Sequence, residues 1–407
     1  WAALAFGFLL TFSSSVGQSY FIGLFGAGVR ADLGLSHGAF GGIYSIATLA
    51  SAASLLFAGK LVDRMSAQGA ALITCAWLAM AAVLMAFAAN ALMLAAALFA
   101  LRLGGQGMMS HIALTTLARW FERERGRAVA LATLGFAAAE ATLPPIVAIA
   151  LVQTSQTAVW LVAAAAMLVF VAPALAGLSA IATRERDESA RSRPAGTGEG
   201  VSRPSWRRAQ VLRDPRFYGL CPGLLAAPFI VTGLLFHQGR LMEINDWPLT
   251  AFASLFPLFA GAAVGAGLLI GALLDRFGSR RILPVFIAPL GLAMILFALT
   301  DSLLAAGVAM ALTGMTAGGA TVLFGTVWVE LYGPAYLGEI RALATSLMVL
   351  ATALAPGVMG VLIDAGVGLD AQFLALAVYI AGCISFLIRL QPSLVAKAPP
   401  DEAQGSA

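Results

Sequence analysis

The chain is 407 residues long, 60% hydrophobic and only 11% charged, with a formal net charge of +4. Soluble domains are about 45–50% apolar and about 25% charged, so a water-soluble globular protein is excluded and a polytopic membrane protein is indicated. The basic balance does not point to nucleic acid, because Lys and Arg fall in short turns between apolar runs and not on one soluble face.

A membrane-crossing helix needs roughly 20 predominantly apolar residues. That ruler lays twelve spans along the chain, at 1–26, 38–60, 68–89, 91–116, 127–152, 157–181, 216–240, 249–274, 280–300, 302–328, 339–363 and 369–390. Trp1 opens directly into span one with no basic region before it, so no cleavable signal is expected and the natural start is expected upstream. Gln18 and Tyr20 in span one, with Tyr44 in span two, are candidates for the outer half of a polar cavity. Between these spans, Gly34-Leu35-Ser36-His37-Gly38 fits the pattern G-x-S-x-G. A nucleophile elbow needs a strand before the serine and a sheet to place its acid and histidine, so Ser36 is read instead as the N-cap of span two. Cys75, Cys221 and Cys383 are far apart in or beside apolar runs, which indicates neither a disulfide framework nor a zinc site.

Spans four and five meet at a basic turn, 119–127, and each carries one ionisable residue near its middle, Arg102 and Glu140. A charge at mid-bilayer depth costs at least roughly 2.5–3.5 kcal/mol on insertion scales, so it faces a partner or a water-filled path. Arg102 is the candidate anion-binding or coupling charge, since a guanidinium stays ionised and grips a carboxylate through two parallel hydrogen bonds. A structural ion pair inside the first bundle is the alternative. On a helix turning about 100° per residue, Gln106 and Ser110 share Arg102's stripe and His111 faces the opposite way. Glu140 is the candidate proton carrier, with permanent pairing to Arg102 as its alternative. Pro144 and Pro145 are expected to break or kink span five, as Pro356 is in span eleven.

Residues 182–215 begin with a run of charges and continue as a Gly/Pro/Ser-rich stretch, so they are read as a mobile linker between the halves 1–181 and 216–390. The polar tail, 391–407, is read as loosely ordered. In the second half, His237-Gln238 is a candidate for substrate binding or pH sensing, and Thr313, Thr316 and Thr352 are candidate cavity walls. Gly261/Gly265 and Gly267/Gly271 are expected to form helix-packing faces, and Trp328 to anchor at the membrane interface. All Lys and Arg except Arg30, Arg240 and Arg102 lie in the linker, the tail or the loops of one side; that side, with both termini, is expected to be cytoplasmic. No G-x-x-x-x-G-K-[ST] sequence is present, so ATP is not the expected energy source.

The halves are related by an ungapped shift. Gly59, Leu61, Asp63 and Arg64 recur 212 positions on as Gly271, Leu273, Asp275 and Arg276, and the same shift carries residues 130–133 to 342–345 and Pro144 to Pro356. Two parallel six-span repeats flanking a binding site are a recurring transporter plan. Arg102 maps to Gly314 and Glu140 to Thr352, so the two intramembrane charges belong to the first half alone.

These paired Gly-x-Leu-x-Asp-Arg turns resemble the signature loop of the major facilitator superfamily, and the resemblance extends over all twelve spans. It implies an all-α membrane fold, twelve transmembrane helices in two pseudo-symmetric six-helix bundles, working by alternating access. In such a turn the glycine lets helices approach closely and the aspartate accepts from a helix N-terminus in the other half. A cytoplasmic gate of Gly59, Asp63, Arg64, Gly271, Asp275 and Arg276 is therefore expected, Asp63 near the start of span eleven and Asp275 near the start of span five. Arg102 followed by Gly105 and Gly107 looks like the family's span-four motif, where a buried Arg is associated with proton coupling. The turn between spans four and five looks most like the monocarboxylate and oxalate/formate branch. The expectation is a secondary transporter of a small organic anion, monomeric, in a bacterial inner membrane, using no cofactor beyond a proton gradient. Its partners would be the substrate and the lipid bilayer. The alternatives are proton-driven efflux of an amphipathic compound and a non-transporting sensor or assembly factor.

Overall fold

In hydrocarbon every backbone polar group needs an internal partner, which restricts a chain this apolar to helices or a closed barrel. The computed structural model, which describes residues 1–62, 64–121, 124–190 and 205–395, takes the helical solution throughout those residues. Among the described residues, ten helices are long and apolar enough to cross a membrane: His37–Lys60, Ala67–Ala86, Ala91–Trp120, Gly126–Gln153, Gln156–Glu185, Pro215–Phe236, Leu249–Phe277, Leu303–Tyr332, Leu337–Asp364 and Leu369–Ser393. They match spans two to eight and ten to twelve, and spans one and nine supply the other two members in broken form.

Span one is not continuous. It runs as Ala2–Ser13, a 3-10 turn over Ser14–Gly17, then Ser19–Leu24 and Gly26–Leu33. Three consecutive serines and a glycine occupy the break, residues that hold a helix weakly because their side chains bond nearby backbone or their backbone is loose. Span nine divides into Ser279–Ile282 and Ala288–Leu299 around Pro284, which has no N–H to give. The break expected at the other prolines does not occur: Arg125–Gln153 runs through Pro144 and Pro145, and Leu337–Asp364 through Pro356. Opening a helix inside the bilayer would strand more polar groups than the one N–H a proline removes.

Spans four and six each contain a π-helical stretch, Arg102–Met109 and Met167–Val171. A π turn holds one extra residue and rotates the remainder of the helix by on the order of 100°. This corrects the placement of His111. Arg102 bonds Thr48 on span two, and a Cβ placed on Gly59 would meet His111 Nε2 at 3.5 Å. Thr48 and Gly59 are eleven residues apart, on one helical face, so Arg102 and His111 look the same way.

Two compact units emerge, one of Trp1–Gly196, Leu234–Pro257 and Ala355–Gly366, the other of Thr197–Gly233, Leu258–Leu354 and Val367–Ala407. In the first, spans one and five lie close: the Thr11 hydroxyl donates to the Ala132 carbonyl at 2.6 Å, and a Cβ on Gly135 would overlap the Phe8 carbonyl. In the second, the expected packing glycines are borne out only at Gly267, where a Cβ would meet the Gly318 carbonyl and Val322 at 3.8 Å. Gly261, Gly265 and Gly271 face open space, and the tighter approach is made from span ten, where Gly314 and Gly318 press on the carbonyls of Phe259 and Ala263. Trp328 is a core residue and not an interface anchor: it is 1% exposed and packs on Phe217 and Phe324.

Of the stretch read as a linker, 182–190 prolong the helix Ala172–Ala190, while 191–204 lie outside the described residues. Its last part is anchored. Trp206 N–H donates to the Tyr332 carbonyl at 2.9 Å, and buried Asp214 and Arg216 pair at 2.8 Å. Arg216 also reaches the Val395 carbonyl at 2.6 Å, just before the part of the tail, 396–407, that lies outside the described residues.

Candidate functional site

The centre of the first unit is built where two irregular backbones touch. The 3-10 break of span one leaves Gly17 against the π stretch of span four: a Cβ on Gly17 would overlap the Leu101 carbonyl, and one on Gly105 would overlap the Gly17 backbone and the Ser14 carbonyl. Only glycine at both places permits this main-chain contact. Arg102 leaves span four here and is 1% exposed. Its Nη1 donates to the Gly17 carbonyl at 3.0 Å and its Nε to Thr48 Oγ1 at 3.2 Å. The guanidinium carbon stands 5.1 Å from the Tyr44 ring centroid, within the range of a cation–π contact. Its Nη2 is buried with no hydrogen-bond partner among the described residues.

Tyr44 is buried and its hydroxyl shares a 2.7 Å hydrogen bond with Ser19. Its ring also meets Phe236, the last residue of the helix Pro215–Phe236, at 4.5 Å. Tyr44 thus joins Arg102 to the C-terminal end of that helix. Glu140 is half-buried on span five and lies close enough to the buried Tyr20 for their charges to interact. No ion pair joins Glu140 to Arg102 among the described residues, so the permanent pairing weighed as an alternative is not formed. Tyr20 is fixed from two sides, its ring on Phe256 at 5.9 Å and its carbonyl accepting from Gln238 Nε2 at 2.8 Å.

The remaining candidates are spread more widely. Gln18 is half-buried at the start of Ser19–Leu24, and Gln106 is half-buried within the π stretch. His237 is 5% exposed; its Nε2 meets the Pro356 carbonyl at 2.9 Å, and its ring lies 6.1 Å from His37. Thr313 and Thr352 turn their hydroxyls back on their own helices, to the carbonyls of Ala309 and Val349. Thr316 is fully buried. In the expected gate, Asp63 lies outside the described residues, Arg64 is exposed in the turn after span two, and Gly59 is buried. Gly271 is half-buried, and Asp275 and Arg276 are exposed at the end of Phe256–Phe277.

Sequence reasoning missed Ser19 and Thr48. Thr48 was within reach, being four residues after Tyr44 and so on the same helical face.

The family model described as Major Facilitator Superfamily matches residues 7–356 and 240–406. The chain is 28% identical over 234 residues to the uncharacterized 38 kDa protein in the 23S RNA operon of Thermoproteus tenax, covering 57% of this chain and 54% of that protein. The match thus spans about half the length of that relative. Among solved structures, the nucleoside transporter NupG superposes with a TM-score of 0.67 at 14% identity, covering 95% of this chain and 98% of that one. A bacterial homolog of the human lysosomal transporter Spinster, inward-facing and unoccupied, gives 0.63 at 16% identity over 96% and 97%. At those identities the two structures establish a shared fold.

Proposed function

The chain belongs to the major facilitator superfamily, and on that premise we propose that it is a secondary transporter carrying a small organic anion by alternating access, coupled to protons. Membership places it with membrane transport proteins and not with enzymes. The observation that carries the anion is the condition of Arg102. Its guanidinium is buried, one edge has no acceptor, and no carboxylate pairs with it among the described residues. A buried charge is costly unless matched. A substrate carboxylate approaching Nη2 supplies that match, while Gly17 and Thr48 hold the rest of the fork in place. Glu140, beside Tyr20 and free of Arg102, is the proton site in this reading. In this reading the linker and the tail face the cytoplasm of a bacterial inner membrane, as the bias of Lys and Arg between the loops of the two sides implies.

The test is counterflow of labelled carboxylates in proteoliposomes. Arg102→Lys keeps the charge but not the fork that serves two acceptors at once, and is expected to lower exchange about 10–100-fold. Unchanged exchange removes Arg102 from the site. A second reading, efflux of an amphipathic compound, is favoured by a cavity of about 410 Å³ in the second unit, walled by Leu225, Phe229, Leu350, Leu354, Leu376 and Tyr379. Cationic dyes run beside the carboxylates discriminate the two, and binding of either without exchange identifies a sensor or assembly factor.

A further inference from the structure

The paired turns led to the expectation of carboxylate latches at the cytoplasmic ends of the spans. The same chemistry is found at the opposite ends. Asp364, the last residue of Leu337–Asp364, accepts from the backbone N–H of His37 through Oδ1 at 3.1 Å and from that of Gly38 through Oδ2 at 2.8 Å. These are the first residues of His37–Val62. A helix start leaves four N–H groups without intrahelical partners, and three of them find acceptors here. Asp364 takes two and Ser36 Oγ takes that of Ala39 at 3.1 Å, after which the Ser36 carbonyl receives the first intrahelical bond, from Phe40 at 3.1 Å. Below this contact the two helices meet through glycines: a Cβ on Gly41 would overlap the Pro356 carbonyl and one on Gly360 the His37 carbonyl. Beside it, Glu243 is held between Arg30 at 3.1 Å and Arg240 at 3.2 Å. All of these residues belong to the first unit.

We propose that Asp364 is the release catch of the outer end of the transport path, holding span eleven to the start of span two while that end is shut and letting go when it opens. Three features favour a catch over static packing. Asp364 is exposed, so water replaces its two donors on separation and the contact breaks at modest cost, unlike a buried charge pair. The glycine contacts have no interlocking side chains to repack. And the catch is absent from the repeat: the 212-residue shift carries Asp364 to Val152, His37 to Leu249 and Ser36 to Pro248, so the scaffold does not require it. The inference rests on the alternating-access reading and is independent of what the substrate is.

The test uses the full chain in lipid nanodiscs without substrate, with Cys75, Cys221 and Cys383 replaced by Ser and spin labels at Ala31→Cys and Ala365→Cys. Asp364→Asn is expected to raise the long-distance population about tenfold over the parent, since it removes a charged acceptor shared by two donors. Asp370→Asn, at the start of the next helix, should leave the distribution unchanged. His37→Pro deletes one donor at a position where a helix tolerates proline and should shift the distribution in the same direction, whereas His37→Ala, which keeps the N–H, should shift it less. Distances in monodisperse Asp364→Asn and His37→Pro that match the parent overturn the catch. Counterflow in the same samples tells the two failures apart: distances that shift in a chain incapable of exchange leave the catch standing and dismiss transport.

Discussion

At the scale of single residues, the site is defined by which charge is matched and which is not. Arg102 spends two of its donor groups on the protein's own oxygens, at Gly17 and Thr48, which fixes the guanidinium plane before any ligand arrives. Such preorganisation lowers the ordering cost of binding. Glu140 has no such ties. Glu140→Gln, similar in shape and unable to ionise, is therefore expected to abolish accumulation driven by a pH gradient while leaving counterflow intact. Accumulation and counterflow measured on one preparation decide it, and equal loss of both assigns Glu140 a structural role. That Arg102 and Glu140 lie within membrane-crossing helices was legible in the sequence, where such charges are rare. That they stand apart was not, because pairing depends on side-chain direction across two helices and the π stretch changes that direction.

At the scale of elements, the long helices were legible and their irregularities were only partly so. Hydropathy is blind to a break that keeps its residues apolar or small, and span one breaks where serines and glycine do just that. The prolines interrupt only in part, since Pro144, Pro145 and Pro356 lie within unbroken helices while Pro284 marks an interruption. Of the glycines read as packing residues in span eight, Gly267 faces span ten, but the tightest approach is made by Gly314 and Gly318, because a glycine pattern does not reveal which of two neighbours presses on the other. Gly105→Ala is the test of the seam between spans one and four. A methyl there has to displace backbone, so a loss of about 1–3 kcal/mol is expected, visible as a lowered thermal midpoint of the purified protein. Gly261→Ala, in open space, should leave that midpoint where it is.

At the scale of the whole molecule, the charge bias leads us to propose an orientation that can be measured. With Cys75, Cys221 and Cys383 replaced, Ser302→Cys and Ser393→Cys, both at exposed positions, are expected to react with a membrane-impermeant maleimide from opposite faces of sealed vesicles. Labelling of both from one face contradicts an odd number of crossings between them. The duplication was legible because the paired turns and their common shift survive in the sequence. The asymmetry between the repeats, with the buried guanidinium of Arg102 in the first copy and the helix-capping carboxylate of Asp364 in the second, is what the duplication alone does not dictate. The seam of Gly17 and Gly105 also bears on redesign. Two main chains in direct contact have no rotamers with which to absorb a push, so tilting span four drags the cradle carbonyl of span one with it. Anyone retuning ligand preference in this scaffold would do best to vary Ser19, Thr48 and Gln238 and leave those two glycines untouched, much as a locksmith recuts the pins but not the cylinder.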